Sequence, residues 1–219
     1  MLRLYQFPIT WGLQPGPFCL KLATWLRMAD IPYKAVTTVA MGKAPKGKLP
    51  YVVTDDGEAL ADSGLIVERL TAGGAAAVDA GMSPAEQAMA TALTRLIEDH
   101  LYFIVVWFRW IDAEGWAAAR PGLFGRMKPP LSMVVPPLLR RGVAKQLNSQ
   151  GTGRFTPDEL VAMARADFQA LATQLGDQAF LTGDTPRTVD ASAYGILANI
   201  AFPPVDTRLQ RCLAEFPTL

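Results

Sequence analysis

The sequence has one histidine and two cysteines in 219 residues. Because His100 is the only imidazole, no triad or metal cluster that needs a second histidine can form. We interpret His100 as a helix-surface or interface residue and expect no metal. Cys19 and Cys212 lie far apart in the sequence, which is not the pattern of a disulfide framework and indicates a reducing compartment.

Excess charge and long apolar runs are also missing. The net charge is +1, which gives no reason to expect nucleic acid as a partner. The apolar stretch at residues 101–108 is far shorter than the ~20 residues that a membrane span needs, and residues 129–139 contain four prolines. The N-terminal MLRLYQF has the pattern of a strand and not of a leader, so we expect a cytoplasmic protein without a membrane span.

The first 72 residues combine strand and helix patterns. Pro17 stands at the favoured first position of a helix that ends at Ile31–Pro32. Asp55-Asp56-Gly57 is typical of a hairpin turn, and Asp62-Ser63 is typical of a helix N-cap. We predict strands over 2–7 and 33–39, a hairpin of 51–53 with 58–61, and helices over 17–29 and 63–70. This order indicates a mixed α/β domain of the thioredoxin type over residues 1–72.

The rest of the chain is predicted to be an all-α domain over residues 83–219. Residues 71–82 are rich in glycine and alanine and form the predicted linker. Ser83 with Glu86, and again Thr156 with Glu159, form capping boxes that start one helix to about residue 111 and another to residue 175. Glycines and prolines interrupt residues 121–137, and residues 190–200 form a buried, mostly apolar helix.

The segment Gly16-Pro17-Phe18-Cys19 is the first candidate site. Unpaired backbone N–H groups and the dipole at a helix start stabilise a thiolate, whether it belongs to the protein or to a ligand. A redox-active turn would have cysteine in place of Gly16, so a two-cysteine redox cycle is excluded here. We interpret Cys19 as a buried structural thiol.

Two further segments are candidates for ligand contacts. Pro50 is either a cis-proline, which would leave the Leu49 backbone to pair with an extended peptide, or an ordinary trans proline at the start of a strand. Ser63 and the adjacent N–H groups can receive a carboxylate while Asp62 caps the helix. Three lysines that could attract an anionic peptide precede Leu49: Lys43, Lys46 and Lys48. At least two of them are explained as well by a solvated charge run.

Seven short segments, in order along almost the whole chain, carry a family resemblance. They are LYQFP (4–8), PFCLKLATWLRMADIPY (17–33), KGKLPYVV (46–53), ADSGLIVERL (61–70), EDHLYFIVVWFRWID (98–112), GTGRFTPDEL (151–160) and TVDASAYGILANI (188–200). With these segments the chain resembles the glutathione-transferase superfamily, and within it the branch named after failed axon connections and related to metaxins. The resemblance implies glutathione binding by the N-terminal domain, a hydrophobic second-substrate pocket between the domains, a homodimer and a cis Pro50.

The sequence departs from this family at Gly16. Relatives often have serine there, and its hydroxyl would donate to the glutathione thiolate. A lost charge-assisted bond is worth about 2 kcal/mol, or somewhat over one decade in rate. Four side chains are candidates to replace the hydroxyl: Tyr5, Thr10, Trp11 and Gln14. Strand alternation favours a core position for Tyr5, and the backbone N–H groups of residues 16–18 are the leading candidates.

Two arginines also bear on the family pattern. Arg187 stands where relatives tend to have the serine or threonine of a capping box with Asp190, and Thr188 is an alternative, off-register cap. Arg109 needs an acidic partner in its apolar helix, or else it faces the substrate pocket, for which Trp11 is the other candidate residue.

The chain also stops at residue 219, earlier than we would expect for the last helix of this fold.

Two functions are compatible with these residues. The first is a glutathione transferase that lowers the thiol pKa with helix-terminus donors and presents the thiolate to a small hydrophobic electrophile. In that case glutathione is a co-substrate. The second is a non-catalytic glutathione- or protein-binding member of the same fold, which the loss of a hydroxyl at Gly16 favours.

Overall fold

The computed structural model describes residues 1–74 and 77–219. Two units can be distinguished in it. The first comprises Met1–Thr94 and Leu175–Asn199, and the second comprises Arg95–Gln174 and Ile200–Leu219. Residues 75 and 76 of the predicted linker lie outside the described residues. The predicted boundaries of the two domains stay a prediction.

A four-stranded sheet is the centre of the first unit. Its strands are β1 (Leu2–Gln6), β2 (Tyr33–Thr37), β3 (Tyr51–Val53) and β4 (Ala59–Ala61), in the order β2-β1-β3-β4. β1 pairs with β2 in parallel, whereas the other two pairings are antiparallel. The predicted strands and hairpin are confirmed, although residue 7, residues 38–39 and residue 58 lie outside the strands.

The helices follow the predicted division into a mixed half and a helical half. They are α1 (Pro17–Met28), α2 (Ser63–Ala72), α3 (Pro84–Arg95), a π-helix (Leu96–Leu101), α4 (Tyr102–Trp110), α5 (Ala113–Phe124), α6 (Leu131–Gln150), α7 (Pro157–Leu175), α8 (Thr188–Ala201) and α9 (Arg208–Leu213). Single 3-10 turns occupy Met41–Lys43 and Thr152–Arg154. The predicted fold class, an α/β thioredoxin-like half followed by an all-helical half, is confirmed.

One face of the sheet packs against α1 and α2. The fully buried side chains on this face include Leu4 and Val52 of the sheet, Leu22 and Trp25 of α1, and Ile66 of α2. A second cluster is formed by Cys19, Ala44, Leu49 and Tyr51 with Tyr5 and Phe7 packed against it. This second cluster lies next to the candidate site.

The segment that starts α8 is held by Arg187. The Asp190 carboxylate accepts from the Arg187 N–H at 2.7 Å and from the Leu181 N–H at 2.9 Å. The Arg187 guanidinium donates to the carbonyls of Val78 (2.9 Å) and Ala80 (2.7 Å). Arg187 therefore fastens residues 78–80 to α8.

Thr188 is not the cap that we expected. It is the first residue of α8, and its hydroxyl accepts from Nε1 of Trp25 at 2.9 Å. Asp190 supplies the carboxylate half of a capping box, and this carboxylate accepts from the N–H of Arg187, the residue that precedes the helix. The prediction of an off-register cap at Thr188 is therefore wrong, because this residue lies inside the helix and its hydroxyl is hydrogen-bonded to Trp25 of α1.

Two predictions for the second half need correction. The expected single helix from residue 83 to about 111 contains the π-helical segment Leu96–Leu101. Residues 121–137 are not simply irregular, because α5 includes Pro121 and α6 runs through Pro136 and Pro137. An interior proline costs a helix about 3 kcal/mol. Tertiary contacts offset this cost: Pro136 is buried, and Arg140 donates to the carbonyls of Trp110 (2.8 Å) and Ile111 (2.9 Å).

Among the described residues, no helix is both long enough and apolar enough to cross a bilayer. Nor does this part of the chain contain a group of three or more histidine, cysteine, aspartate or glutamate side chains that could hold a metal ion.

Candidate functional site

The three candidate segments leave the sheet of the first unit at the same end. β3 begins directly after Pro50, and β4 ends directly before Asp62. Tyr51 pairs with Ala61 in antiparallel register, so Pro50 and Asp62 lie side by side where their strands meet the loops. Tyr51 also pairs with Tyr5, and β1 leaves the sheet at this end toward α1. The sheet thus brings the starts of α1, β3 and α2 to one edge.

Gly16 is the N-cap residue of α1 and has no side chain with which to cap it. Its carbonyl accepts the first helical hydrogen bond, from Leu20, at 2.9 Å. A Cβ atom at Gly16 would lie 2.9 Å from Cδ2 of Phe7 and 3.1 Å from Sγ of Cys19. Real Cβ atoms essentially never come within 3.0 Å of another side chain, so the packing of Phe7 explains the glycine.

Residues 16–18 do not provide three backbone N–H groups for a ligand. Pro17 has no N–H. The Gly16 N–H donates to Oε1 of Gln14 at 3.3 Å, which is a long hydrogen bond. A thiolate at this position would have to share the Gly16 donor or use the N–H of Phe18.

Gln14 fixes the loop that leads into α1. Its Nε2 donates to the Phe7 carbonyl at 2.9 Å, and the Gln14 backbone carbonyl accepts from Nδ2 of Asn199 at 3.1 Å. Gln14 and Asn199 are both buried. The Gln14 side chain is therefore committed to the loop, on one side to Phe7 and on the other to Gly16. Sequence reasoning missed Asn199, whose one signal was a polar residue in an apolar helix.

Thr10 and Trp11 belong to a tight turn before Gln14. Thr10 and Leu13 exchange two backbone hydrogen bonds, of 2.9 and 3.0 Å. The two residues between them, Trp11 (φ 57°) and Gly12 (φ 73°), both have positive φ, as a type I′ turn requires. The left-handed region is unusual for a residue as bulky as tryptophan. The Thr10 hydroxyl lies 3.5 Å from the Pro8 carbonyl, at the limit of a hydrogen bond.

Tyr5 is stacked on its strand neighbour Tyr51. The ring centroids are 4.3 Å apart and the planes differ by 9°. Burial raises the pKa of Tyr51, and the adjacent Tyr5 raises it further. The aromatic pair forms one wall of the second cluster, so Tyr5 packs against the cluster and is itself half-buried.

The Cys19 thiol lies in the same cluster and is fully buried. Burial raises the pKa of this thiol to about 12, and a hydrogen bond with the Phe7 backbone acts in the opposite direction. A thiol with such a pKa is protonated at neutral pH and is a poor nucleophile. The position agrees with our interpretation of Cys19 as a structural residue.

The Leu49–Pro50 peptide bond is cis, and both residues are buried. They directly precede β3, and Leu49 packs in the second cluster. Lys48, the next residue toward the N-terminus, is exposed, as are Lys43 and Lys46. A cation thus lies beside the edge at which the candidate segments meet.

Asp62 caps α2 in an unusual backbone conformation, with φ at 80°. Its Oδ1 accepts from the N–H groups of Gly64 (3.0 Å) and Leu65 (3.3 Å). Ser63 is the first residue of the helix and is buried. The N-cap prediction is therefore confirmed for Asp62, and Ser63 lies where a ligand at this edge would meet α2.

Helix α8 packs directly against the first turn of α1. A Cβ atom at Gly195 would lie 2.7 Å from the Pro17 carbonyl oxygen and 3.0 Å from the backbone nitrogen of Lys21. Because both neighbours are helix backbone, the two helices are in contact at this glycine. The position of the first turn of α1 therefore depends on α8.

Arg109 and His100, which the sequence also singled out, belong to the second unit. Burial lowers the pKa of the Arg109 guanidinium to about 10, and Tyr102 has an opposing effect. Nδ1 of His100 lies 2.6 Å from Oδ2 of Asp167. Burial raises the pKa of the Asp167 carboxyl, although His100 partly offsets this. His100 is a half-exposed helix residue with a specific partner on α7.

Family models match two parts of the chain. The model described as glutathione S-transferase N-terminal domain matches residues 17–115. The model described as glutathione S-transferase, C-terminal domain matches residues 164–219. Residues 116–163 lie outside both of these matches.

Individual relatives match over nearly the whole chain. An isoprene-epoxide–glutathione S-transferase of a Rhodococcus species is 33% identical over 210 residues, which cover 93% of this chain and 88% of the relative. The failed axon connections protein of Drosophila melanogaster is 26% identical, over 97% of this chain and 54% of the relative. Human metaxin-1 is 27% identical, over 90% of this chain and 44% of the relative. The chain thus spans about half the length of the latter two.

Solved structures agree on the fold. A glutathione S-transferase from Rhodospirillum rubrum matches with a TM-score of 0.57 and 17% identity, over 99% of this chain and 86% of that one. At this identity the likeness concerns the fold alone.

Proposed function

Because the chain belongs to the glutathione S-transferase family, we propose that it binds reduced glutathione on its first unit and transfers the thiolate to a small hydrophobic electrophile. The observation that carries the proposal is the shared edge of the sheet. There the strand register brings together the starts of β3 and α2 and the end of β1, which leads to α1, and each offers a different kind of contact. A homodimer and a cytoplasmic location remain part of the proposal.

Glutathione is a tripeptide with two carboxylates, one ammonium group and one thiol. In the proposed complex the Leu49 backbone pairs with the cysteinyl residue in the manner of a strand, and Ser63 receives a carboxylate at the start of α2. Both capping bonds of Asp62 use Oδ1, so its Oδ2 can accept from the ammonium group. Lys48 adds a positive charge beside the second carboxylate.

The thiol is assigned to the start of α1, beside Gly16, Pro17 and Phe18. The Gly16 N–H already donates to Gln14, so we assign stabilisation of the thiolate to the Thr10 hydroxyl, whose hydrogen bond to the Pro8 carbonyl is long, at 3.5 Å. A hydroxyl that donates a hydrogen bond to the thiolate lowers the thiol pKa. The thiol of glutathione then loses its proton to solvent at neutral pH. Tyr5 has a packing role in this proposal, through its stack on Tyr51.

The name of the Rhodococcus relative makes an epoxide of isoprene the first electrophile to test here. In that reaction the thiolate sulfur attacks an epoxide carbon, so that a C–S bond forms as the C–O bond breaks. The alkoxide then takes a proton from water, which gives a hydroxy thioether. Within the first unit, Trp11 is the residue that we assign to the electrophile.

A titration with reduced glutathione tests both halves of this proposal. We expect millimolar glutathione to raise the melting temperature and to produce thiolate absorbance, and an epoxide or aryl halide then to consume the thiol. Thr10→Ala should lower the thiolate signal, Thr10→Ser should restore it, and the exposed control Thr37→Ala should change neither. The absence of any stabilisation at millimolar glutathione would overturn the proposal.

A second candidate function is binding of glutathione or of a protein without catalysis. Gly16 favours it, because the residue has no hydroxyl and its N–H already has an acceptor. The likeness to metaxin-1 and to the failed axon connections protein does not require catalysis either. Glutathione binding without thiolate absorbance, and without turnover of either electrophile, would favour this candidate over the first.

A further inference from the structure

Helix α6 has a continuous exposed face with two chemically different halves. Leu131, Val134 and Leu138 recur at spacings of three and four residues, and Arg141, Lys145 and Asn148 continue the same spacing. Residues with this spacing lie on one face of a helix. All six are exposed, and we call them the α6 stripe. Its first half is apolar and its second half is cationic.

The apolar half is unusually exposed for side chains of this size. Leu131 is 59% exposed, Val134 is 52% and Leu138 is 62%, and the adjacent Met133 is 69% exposed. Scattered apolar residues on a surface need no explanation, but contiguous ones indicate an interaction site. These residues follow one another along two turns of one helix.

The cationic half borders a shallow depression with a volume of about 530 Å³. It is lined by Arg141, Lys145 and Arg154 together with Asn148 and Ser149. Nε of Arg154 donates to the Asn148 carbonyl at 3.2 Å, which holds this arginine against α6. Three cations and two neutral donors therefore border one depression that is open to solvent.

The surrounding sequence is strongly one-sided in charge. Residues 115–155 contain seven arginines or lysines and no aspartate or glutamate, although the whole chain has a net charge of only +1. All of this segment except residue 115 also lies outside the two family models. The positive charge of the chain is thus concentrated around α6.

From these observations we propose that α6 binds the surface of a membrane that contains anionic lipids. The apolar half of the stripe enters the boundary between headgroups and acyl chains, and Arg141, Lys145 and Arg154 contact lipid phosphates. Buried apolar area and attraction to anionic lipids together give the reversible binding that is typical of interfacial helices. In this proposal the helix lies along the membrane surface, with its apolar half toward the acyl chains.

A second copy of the chain fits the stripe less well. If two stripes paired in parallel, Arg141 and Lys145 would face the same cations of the other copy. If they paired antiparallel, the cations would face Leu131 and Val134 and would lose water without gaining a partner. An anionic lipid surface satisfies both halves at once.

Flotation with lipid vesicles tests this proposal. The full chain is mixed with vesicles of phosphatidylcholine alone or with phosphatidylserine added, at low and at high salt. We expect binding to the anionic vesicles only, and less of it at high salt. Leu131→Ser with Leu138→Ser should reduce the bound fraction at least about tenfold, and so should Arg141→Gln with Lys145→Gln. The controls Val39→Ser and Lys34→Gln change exposed residues outside α6 and should have no effect.

Three results would overturn the proposal. The first is a wild-type chain that fails to float with anionic vesicles, and the second is equal flotation of wild type and both double variants. The third is an apolar double variant that turns a dimer into a monomer in sedimentation while vesicle binding is unchanged, because α6 would then be an interface between copies. Circular dichroism of each variant establishes that it is folded.

Discussion

The Phe7 ring lies where a side chain at Gly16 would begin, with its Cδ2 atom 2.9 Å from the position of a Cβ. The residue that lacks a hydroxyl and the aromatic residue that directly follows β1 therefore pack against each other. A serine at position 16 cannot simply be added, because Phe7 would have to move first.

We predict that Gly16→Ala and Gly16→Ser both destabilise the protein, by about 1–3 kcal/mol, since overpacking has this typical cost. Chemical denaturation measures the change. Trimming the ring with Phe7→Leu should reduce the loss in both double variants. Alanine brings the Cβ without the hydroxyl, so any gain in thiolate absorbance with serine alone reports the hydroxyl. Full stability of both single variants would contradict the packing account.

We predict that Gly195→Ala destabilises the protein by at least about 1–3 kcal/mol and weakens glutathione binding. The added Cβ would lie 2.7 Å from the Pro17 carbonyl, and helix backbone cannot yield as a flexible side chain can. Gly142→Ala is the matched control, because its Cβ meets nothing within 4 Å and alanine favours a helix by about 1 kcal/mol. Thermal melts with and without glutathione compare the two. Equal behaviour would show that α8 does not position α1.

We predict that Arg187→Ala lowers the free energy of unfolding by about 1–3 kcal/mol, because the carbonyls of Val78 and Ala80 lose a charged donor. Limited proteolysis should cleave residues 71–82 faster in this variant. Arg69→Ala, which removes an exposed arginine 4.0 Å from Glu58, should leave the cleavage rate unchanged. Identical digestion of all three proteins would show that Arg187 does not fasten the segment.

The Thr156–Glu159 capping box should make stability depend on pH in a defined direction. Hydrogen bonds from the Thr156 N–H and hydroxyl hold the pKa of Glu159 below its ordinary value. A lowered folded-state pKa stabilises the protein above the ordinary glutamate pKa, and this contribution is lost as the pH falls through the lowered value. Glu159→Ala should therefore melt below wild type at pH ~7 and should approach it at pH ~3. Glu68→Ala is the exposed control, and a difference that grows toward acid would contradict the assignment.

Signals that lie within a few residues of one another predicted much of the fold. The turn at Asp55–Gly57 and the capping boxes at Ser83 and Thr156 carry their hydrogen-bond partners with them. The helix through Pro136 could not be predicted in this way, because Arg140 holds it to residues about thirty positions earlier. Local propensity is a weak guide where tertiary contacts compensate for a proline.

The candidate site shows the same division: the residues with short-range sequence signals could be predicted, and the long-range contacts between them could not. Leu49, Pro50 and Asp62 could be named from the motifs around them, and the sheet register brings them to one edge. The contact of Asn199 with Gln14 joins residues 185 positions apart, and that of Arg187 with Val78 joins residues 109 apart. No spacing rule along the chain reports such pairs.

The π-helical segment Leu96–Leu101 affects how the chain tolerates changes in length. The buried side chains Leu93, Ile97, Leu101 and Val105 recur every four residues. In an α-helix such a repeat turns by about 40° at each step, because each residue advances by about 100°. The wider π turn absorbs part of this rotation. Deletion of one residue between Ile97 and Leu101 would change the spacing of these side chains from four-four-four to four-three-four, and an ordinary α-helix would then keep all of them on one face. Homologues that lack the π turn should therefore show a one-residue gap here, with the buried side chains before and after it still on one face.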